Sequence, residues 1–261
     1  MMRSWCVFEV SLACLGLVFP TCGQEKPAEQ KKVPDAMNCL TIQAPPGKTT
    51  KLVIRGLNLD QATSVTIHEP KSRAMIIGKA QKKTPNNPLT PAMVGDTEIT
   101  VEVTIHAECP QSLVPISFRN GDVAGKSCNV LVAEEPAIPE KESNGSFRSA
   151  MKIELNQSIR GKIQSPKDVD VFQATLEANQ AVFLKLSAAQ TGSPLAAQIT
   201  IYDAKGQIIK ILQSSRAATD PEMKWIPKIA GDYFFSIIDL NDFGADMFVY
   251  QFLLATTDKS E

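Results

Sequence analysis

Short runs of alternating apolar and polar residues follow one another along most of the chain. In the clearest run, threonine and glutamate alternate with Ile99, Val101, Val103 and Ile105. Successive side chains point to opposite faces of a strand, so this pattern predicts a strand with one buried face. Similar runs rich in Val, Ile and Thr fill residues 39–134 and 152–256. The pattern therefore predicts an all-β chain with two β-sandwich domains in tandem.

The segments that flank these runs set the predicted domain limits. Residues 1–23 have a basic start, an apolar run and small residues near Gly23, the layout of a cleaved signal peptide. Residues 24–37 are polar and contain proline, so we expect a tether. The predicted organisation is a signal peptide over 1–23, a tether over 24–37, sandwiches over 38–134 and 146–258, and a linker over 135–145.

Net charge and hydropathy limit the classes of partner that we expect the protein to bind. The formal net charge is −1, so no broad field attracts nucleic acid or an anionic membrane surface. The apolar run of the signal segment is shorter than the roughly 20 residues that a membrane-spanning helix needs. We therefore expect a secreted, periplasmic or cell-surface protein without a stable membrane span.

Three of the six cysteines remain once the signal segment is removed. Export permits a disulfide, and Cys109 with Cys128, or Cys39 with Cys128, would bridge neighbouring predicted strands. The alternative is that all three are small buried apolar residues. A zinc site is not expected, because the sequence has no CxxC spacing and only two histidines.

The sequence argues against an enzyme. The motifs of serine hydrolases, metalloproteases and nucleotide-binding enzymes do not occur. His68 and His106 both lie at the ends of predicted strands. A solvated strand end accounts for a histidine at each position without a catalytic role. Asp168 and Asp170 lie two residues apart, but nothing in the sequence supplies a cleft or a partner that would separate their pKa values.

Residues 53–67 contain the sequence VIRGLNLDQATSVTI, in which Gly56, Asn58 and Leu59 precede a predicted strand. This stretch resembles the turn of IPT/TIG-type immunoglobulin-like domains, and residues 114–132 resemble their closing strand pair. Gly56 and Asn58 are suited to turn conformations that β-branched residues resist. The resemblance implies an immunoglobulin-like fold for the first sandwich.

The second half contains ESNGSF, DVDVF, ITIYDAKG, GDYFFSI and YQFLLA in this order. This ordered set resembles the bacterial pre-peptidase C-terminal domain, which accompanies secreted peptidases and other exported proteins. The resemblance covers residues 140–257 and implies a jelly-roll-like sandwich. Independently, the aromatic residues predicted for its core are Phe172, Trp225, Tyr233, Phe235, Tyr250 and Phe252.

Several relatives of that domain bind calcium, and the resemblance carries over part of their ligand set. Glu142 and Asn144 match the entry segment, and Asp168 and Asp170 match the strand start. Gly145 stands where the family has another acidic residue, which removes one oxygen ligand where calcium takes six to eight. The alternative is that these are polar residues at a strand edge. A second acidic stretch, residues 239–246, lacks the spacing of a calcium loop and is predicted to be a solvated hairpin loop.

These features predict a secreted, non-catalytic binding or accessory protein that recognises protein or polysaccharide at the cell surface or in the envelope. One alternative is a structural spacer of an envelope assembly. Another is a non-catalytic subunit or targeting module of a secreted peptidase. A binding protein should expose an aromatic or apolar patch on one face, whereas a spacer needs none.

Overall fold

The computed structural model describes residues 31–214 and 219–257, and the described residues belong to one compact unit that begins at Lys31. The predicted signal peptide and residues 24–30 of the predicted tether lie outside the described residues. The first strand begins at Asp35, inside the range predicted as a tether. Within the described ranges, no helix has the length and apolar character to cross a membrane.

Ten strands precede the predicted linker over residues 135–145, which we call the connector. They are β1 (Asp35–Cys39), β2 (Gln43–Ala44), β3 (Thr49–Leu57), β4 (Ser64–Ile67), β5 (Arg73–Ile76), β6 (Gln81–Lys82), β7 (Thr97–Thr104), β8 (Leu113–Asn120), β9 (Val123–Ala124) and β10 (Cys128–Val132). A 3₁₀ turn (Leu59–Gln61) and a short helix α1 (Pro91–Val94) lie between them.

Ten more strands follow. They are β11 (Ile138–Pro139), β12 (Met151–Lys152), β13 (Gln157–Lys162), β14 (Asp170–Leu176), β15 (Val182–Ser187), β16 (Ala197–Tyr202), β17 (Ile208–Gln213), β18 (Glu222–Trp225), β19 (Gly231–Asp239) and β20 (Val249–Thr256). A second 3₁₀ turn (Ala189–Thr191) precedes β16.

The strands form four five-stranded sheets that pack as two sandwiches. Sheet 1 has the order β1-β3-β7-β5 with β6 also on β7, and sheet 2 has the order β2-β10-β8-β4 with β9 on β8. Sheet 3 has the order β11-β13-β20-β15-β18, and sheet 4 has the order β12-β14-β19-β16-β17. Side chains from both sheets of each pair fill one core, which confirms the all-β sandwich prediction.

Alternation along the strands places the cores as the sequence predicts. In β7, Ile99, Val101 and Val103 are buried while the residues between them are only partly buried. In the second sandwich, the rings of Phe172 and Phe252 stack with centroids 5.6 Å apart between sheets 4 and 3. Burial of such aromatic side chains contributes about 1.5–3 kcal/mol each to folding.

Gly56 has a different role from the predicted one. Asn58 adopts a left-handed conformation with φ of 53°, as expected of a turn residue. Gly56 instead lies within β3, where a Cβ atom would come 2.0 Å from the main-chain oxygen of Asp35. Glycine is therefore required by the close approach of β1 rather than by a turn.

The two sandwiches contact each other directly. The side-chain amide of Asn38 in β1 donates a buried hydrogen bond of 2.7 Å to the main-chain oxygen of Met247. A small apolar cluster joins Ile42 and Leu131 of the first sandwich to Val249 of the second. The polar sequence of the connector does not predict this contact, because none of the residues that form it lies in the connector.

The three described cysteines are free thiols, so the predicted disulfide between Cys109 and Cys128 is not formed in this structure. Cys109 lies in the turn after β7, with its Sγ atom 3.7 Å from the main-chain oxygen of Gln111. Cys39 and Cys128 are buried in the first core, and burial raises the pKa of the Cys39 thiol to about 12. The arrangement matches the alternative of buried apolar thiols for those two residues.

Candidate functional site

Three carboxylates meet where the connector enters the second sandwich. One oxygen atom each from Glu140, Glu142 and Asp170 lies within 4.8 Å of the other two. Asp170 is fully buried, Glu140 is half-buried and Glu142 is exposed. Within the described ranges, no lysine or arginine forms an ion pair with any of them. The cluster therefore concentrates negative charge without a protein cation to balance it.

The connector holds its two glutamates in place by main-chain pairing. Strand β11 runs parallel to β13, and the main-chain N–H of Glu140 continues this ladder to the oxygen of Arg160 over 2.9 Å. The carboxylate of Glu140 then accepts the N–H of Lys162 over 2.7 Å. The carboxylate of Glu142 accepts the side-chain amide of Gln164 over 2.5 Å. The cluster is therefore preformed rather than left to a mobile linker.

Asn144 completes the cluster with a buried amide. Its main-chain oxygen accepts the N–H groups of Val171 and Ser146, which fixes the residue beside β14. The outer amide atom that faces the carboxylates lies 3.1 Å from Oε2 of Glu142 and 3.2 Å from Oδ1 of Asp170. A nitrogen in this position donates to both carboxylates, and this is the orientation in which both atoms of the amide find partners.

The structure brings together three of the four predicted metal ligands and leaves one aside. Glu142, Asn144 and Asp170 converge, but Asp168 does not share their face, because β14 begins only at Asp170 and Asp168 lies in the turn before it. One oxygen of Asp168 accepts the N–H of Gln164 and the other accepts the N–H of Val169. Asp168 therefore shapes the turn.

Glu140 is the ligand candidate that sequence reasoning missed. It precedes Glu142 by two residues in a stretch that reads as a polar connector, and only its pairing beside β13 brings it to Asp170. Tyr250 was predicted as a core residue, yet its hydroxyl also donates to Asp170 over 2.6 Å and to Glu140 over 3.2 Å. Room for this hydroxyl comes from Gly161, where a Cβ atom would lie 2.2 Å from it.

Burial and mutual repulsion change the acidity of these groups. Desolvation, followed by the charge of Glu140, raises the pKa of Asp170 to about 9. Desolvation also raises the pKa of Glu140 to about 7. In both cases burial disfavours the charged form, and the neighbouring carboxylates add to the effect. Without a cation, the cluster therefore holds protons at neutral pH.

This acidity predicts how the stability of the metal-free protein depends on pH. The unfolded carboxyls titrate near pH 4, whereas folded Glu140 and Asp170 keep their protons to about pH 7 and 9. Between these values the folded state binds more protons, so raising the pH from about 5 to about 9 lowers the unfolding midpoint. Calorimetry in EDTA at fixed ionic strength measures the slope. A midpoint that stays constant or rises over this interval contradicts the prediction, and Asp170→Asn should flatten the slope.

A groove lies next to the cluster on the outer face of sheet 4. It has a volume of about 380 Å³, and its lining includes Phe147, Tyr202, Val171, Thr200 and Ser236. Thr200 and Tyr202 alternate along β16 with core residues, so their side chains face away from the core. We call this feature the aromatic groove.

The turn that follows Asn144 presents one wall of the aromatic groove. The hydroxyls of Ser146 and Ser149 lie 2.8 Å apart across this turn. Between them Phe147 remains 41% exposed, with its ring centroid 5.0 Å from that of Tyr202 and 4.8 Å from that of Phe234. Its position in the ESNGSF motif did not reveal this role.

The two histidines lie at separate places in the first sandwich and have different partners. Nε2 of His68 lies 2.8 Å from the hydroxyl of Ser117, a contact that the sequence does not predict. Among the hydrogen bonds of the described residues, no carboxylate holds the other nitrogen of this ring. His106 instead accepts the N–H of Glu108.

The second acidic stretch forms a structured loop. The buried carboxylate of Asp239 accepts the N–H groups of Asn241 and Phe243 through one oxygen and that of Ala196 through the other. Asp246 pairs with Lys162 over 2.8 Å. These contacts use the acidic groups to hold the loop. The hairpin prediction is wrong, because β19 and β20 lie in different sheets and the loop crosses from one sheet to the other.

No family model matches the chain, and no curated protein matches it. A pre-peptidase C-terminal domain of a collagenase from Bacillus anthracis is similar in structure, with 14% identity and a TM-score of 0.33 over 40% of this chain and 93% of that one. A second similar structure is the mixed-linkage glucan utilisation protein SGBP-B of Bacteroides ovatus, with 9% identity and a TM-score of 0.25 over 76% of this chain and 72% of that one.

A carbohydrate-binding module of the β-sandwich superfamily is also similar, with 7% identity and a TM-score of 0.25 over 88% of this chain and 100% of that one. At these identities and TM-scores, the similarity to the three structures carries no conclusion about the function of this chain. The resemblance of residues 38–134 to IPT/TIG domains is not tested by them and stays a prediction.

Proposed function

We propose that the protein is a non-catalytic binding module that works at the cell surface or in the envelope and recognises an extended polypeptide through sheet 4. The observation that supports this proposal is the exposed apolar surface of that sheet, which a spacer would not need. Export rests on the predicted signal peptide over residues 1–23.

The surface combines the aromatic groove with an open strand edge. Strand β17 ends the order of sheet 4, and within the described ranges no strand pairs with its far side. Its side chains Ile208, Ile209 and Ile211 are 59%, 46% and 49% exposed. Ile211 lies opposite Thr200 in the register, so the edge continues the groove. An unpaired edge beside apolar pockets is the arrangement that accepts an added strand.

Polysaccharide is the second candidate ligand, and one observation favours it. Phe147 and Tyr202 present aromatic surface beside the hydroxyls of Thr200 and Ser236, and an aromatic ring with nearby polar groups also suits a sugar ring. The exposed isoleucines of β17 have no comparable role in sugar binding, so we place polypeptide first.

The acidic cluster is proposed to hold calcium beside this surface. Glu140, Glu142 and Asp170 supply hard oxygen donors of the type that calcium prefers, and rotation of the Asn144 amide would add a fourth. Four protein donors leave room for water where calcium takes six to eight oxygens. The same segment continues from Asn144 into Phe147, so a bound cation would neutralise the carboxylates and stiffen the base of the groove wall.

The test selects peptide ligands and then measures their binding to a variant in which one wall of the aromatic groove is truncated. A displayed library of random peptides is selected on the full-length secreted protein, and the affinities of selected peptides are measured by calorimetry. We expect Phe147→Ala to weaken binding by at least about tenfold, as for a central aromatic contact. Ile229→Ala is the matched control, because Ile229 is 74% exposed and lies outside the groove.

The other outcomes separate the remaining candidates. Retardation of the wild type, but not of Phe147→Ala, in gels containing polysaccharide would favour the second ligand class. Co-purification with a peptidase through the same surface would favour a subunit role. Absence of any ligand that depends on Phe147 would leave the structural spacer.

A further inference from the structure

A second concave site lies between the two sandwiches, away from the aromatic groove. Its volume is about 520 Å³, within the roughly 300–1,000 Å³ range of small-ligand sites. Residues 83–89 of the first sandwich form one wall, and residues 164–166 and 243–247 of the second form the other. We call this feature the inter-sandwich cleft.

Both walls of the inter-sandwich cleft are anchored. The buried guanidinium of Arg55 donates to the main-chain oxygens of Lys83 and Val94 over 2.7 and 2.8 Å, which holds the start of the first wall. Leu89 at the end of this wall packs against the core of the second sandwich. On the opposite wall, Gly244 lies so close to Ser165 that a Cβ atom would come 2.1 Å from its main-chain oxygen. A ligand would therefore meet a preformed site.

The polar side chains of the cleft are available to a ligand. In the described part of the chain, the side chains of Thr84, Asn86, Asn87 and Ser165 form no hydrogen bond with the protein, and each is exposed. They offer two amides and two hydroxyls, each of which can donate and accept. Phe243 adds an aromatic surface on the second wall.

The charges of the cleft leave one cation without a direct partner. Arg55 pairs with Glu98 over 2.8 Å, and Lys162 pairs with Asp246 over 2.8 Å. Lys83 forms no ion pair among the described residues, although its charge contributes to the lowered pKa of Asp246. Arg55, Lys83, Glu98 and Asp246 line the cleft, so its formal net charge is zero, and Lys83 lies beside neutral donors and acceptors.

We propose that the inter-sandwich cleft binds a short acidic oligosaccharide, with a uronic-acid carboxylate at Lys83 and sugar hydroxyls at the amides and hydroxyls of the walls. Phe243 would contact a sugar face, as aromatic rings do in sites of mixed polarity. A peptide is less suited, because apart from Arg55 and Glu98 the lining comes from loops and offers no strand edge for main-chain pairing.

The test uses trigalacturonate and its neutral galactose counterpart, titrated into the full-length secreted protein by calorimetry. We expect trigalacturonate to bind more tightly than the neutral sugar and to weaken as salt is raised. Lys83→Gln should weaken it by about tenfold, the effect of losing one charge-assisted hydrogen bond. Ser165→Trp should abolish binding by filling the cleft. Lys228→Gln, at an exposed lysine outside the cleft, is the matched control.

The remaining variants and probes overturn the proposal or support it. Phe147→Ala should leave trigalacturonate binding unchanged, since the aromatic groove is a separate surface; loss of binding in this variant would overturn the assignment to the cleft. Equal affinity for both sugars, unchanged binding in Lys83→Gln and Ser165→Trp, or binding of triglutamate in place of trigalacturonate would each overturn it. Unfolding midpoints of the variants exclude misfolding as the cause of a loss.

Discussion

Adding calcium to the metal-free protein is expected to raise its midpoint of thermal unfolding. The carboxylates of Glu140, Glu142 and Asp170 converge without a protein cation, so a cation bound only by the folded state removes their repulsion. Calcium at one hundred times its dissociation constant would add about 2.7 kcal/mol to the free energy of unfolding. Differential scanning calorimetry of the full-length protein in EDTA and in millimolar calcium measures the shift.

Two isosteric variants make this test specific to the structure. Asp170→Asn should abolish the calcium shift, because it removes a carboxylate of the cluster. Asp168→Asn should retain it, because that carboxylate accepts the main-chain N–H groups of Gln164 and Val169. Glu154→Gln, at an exposed position, controls for the loss of one surface charge. An unchanged midpoint at millimolar calcium, or the reverse order of the two aspartate variants, would contradict the prediction.

Gly192→Ala is expected to destabilise the whole described unit. Gly192 ends the second 3₁₀ turn with φ of +89°, and a Cβ atom there would lie 1.8 Å from the main-chain oxygen of Met37 in β1. The substitution therefore forces the two sandwiches apart at a backbone contact. Overpacking costs about 1–3 kcal/mol, and the left-handed conformation adds roughly 1 kcal/mol for a residue with a Cβ atom.

Urea unfolding followed by tryptophan fluorescence measures this loss. Gly78→Ala is the control, since a Cβ atom at Gly78 would contact nothing within 4 Å. A Gly192→Ala variant as stable as the Gly78→Ala variant would show that this contact between the sandwiches is absent in solution.

The fold could be predicted from the sequence because its signals are local. Alternation in β7 and the aromatic residues Phe172, Tyr233, Phe235 and Phe252 depend only on the two-residue period of a strand and on side-chain size. The run over residues 39–43 predicts one continuous strand, but the structure divides it between β1 and β2. Ile42, in the left-handed region with φ of 64°, interrupts it between β1 and β2.

Only the part of the candidate site that lies in local sequence motifs could be predicted from the sequence. Glu142, Asn144 and Asp170 belong to sequence motifs, but Glu140 joins them only because β11 pairs with β13, a contact that no local pattern encodes. The sequence predicts that Asp168 and Asp170 share one face of a strand. In the structure β14 begins only at Asp170, so Asp168 lies in the preceding turn and does not share that face. The inter-sandwich cleft is lined by residues 83–89, 164–166 and 243–247, which lie far apart in the chain, so the sequence alone does not connect them.

The contact between Asn38 and Met247 also bears on how the protein can be divided. If the chain were cut in the connector, the first fragment would expose Ile42 and Leu131 and the second would expose Val249, which all lie in one buried cluster. Asn38 would lose the acceptor of a buried hydrogen bond. Each fragment would expose an apolar surface that the other fragment covers in the intact protein. The pair of sandwiches is therefore the smallest piece suited to grafting, secretion or crystallisation as a unit.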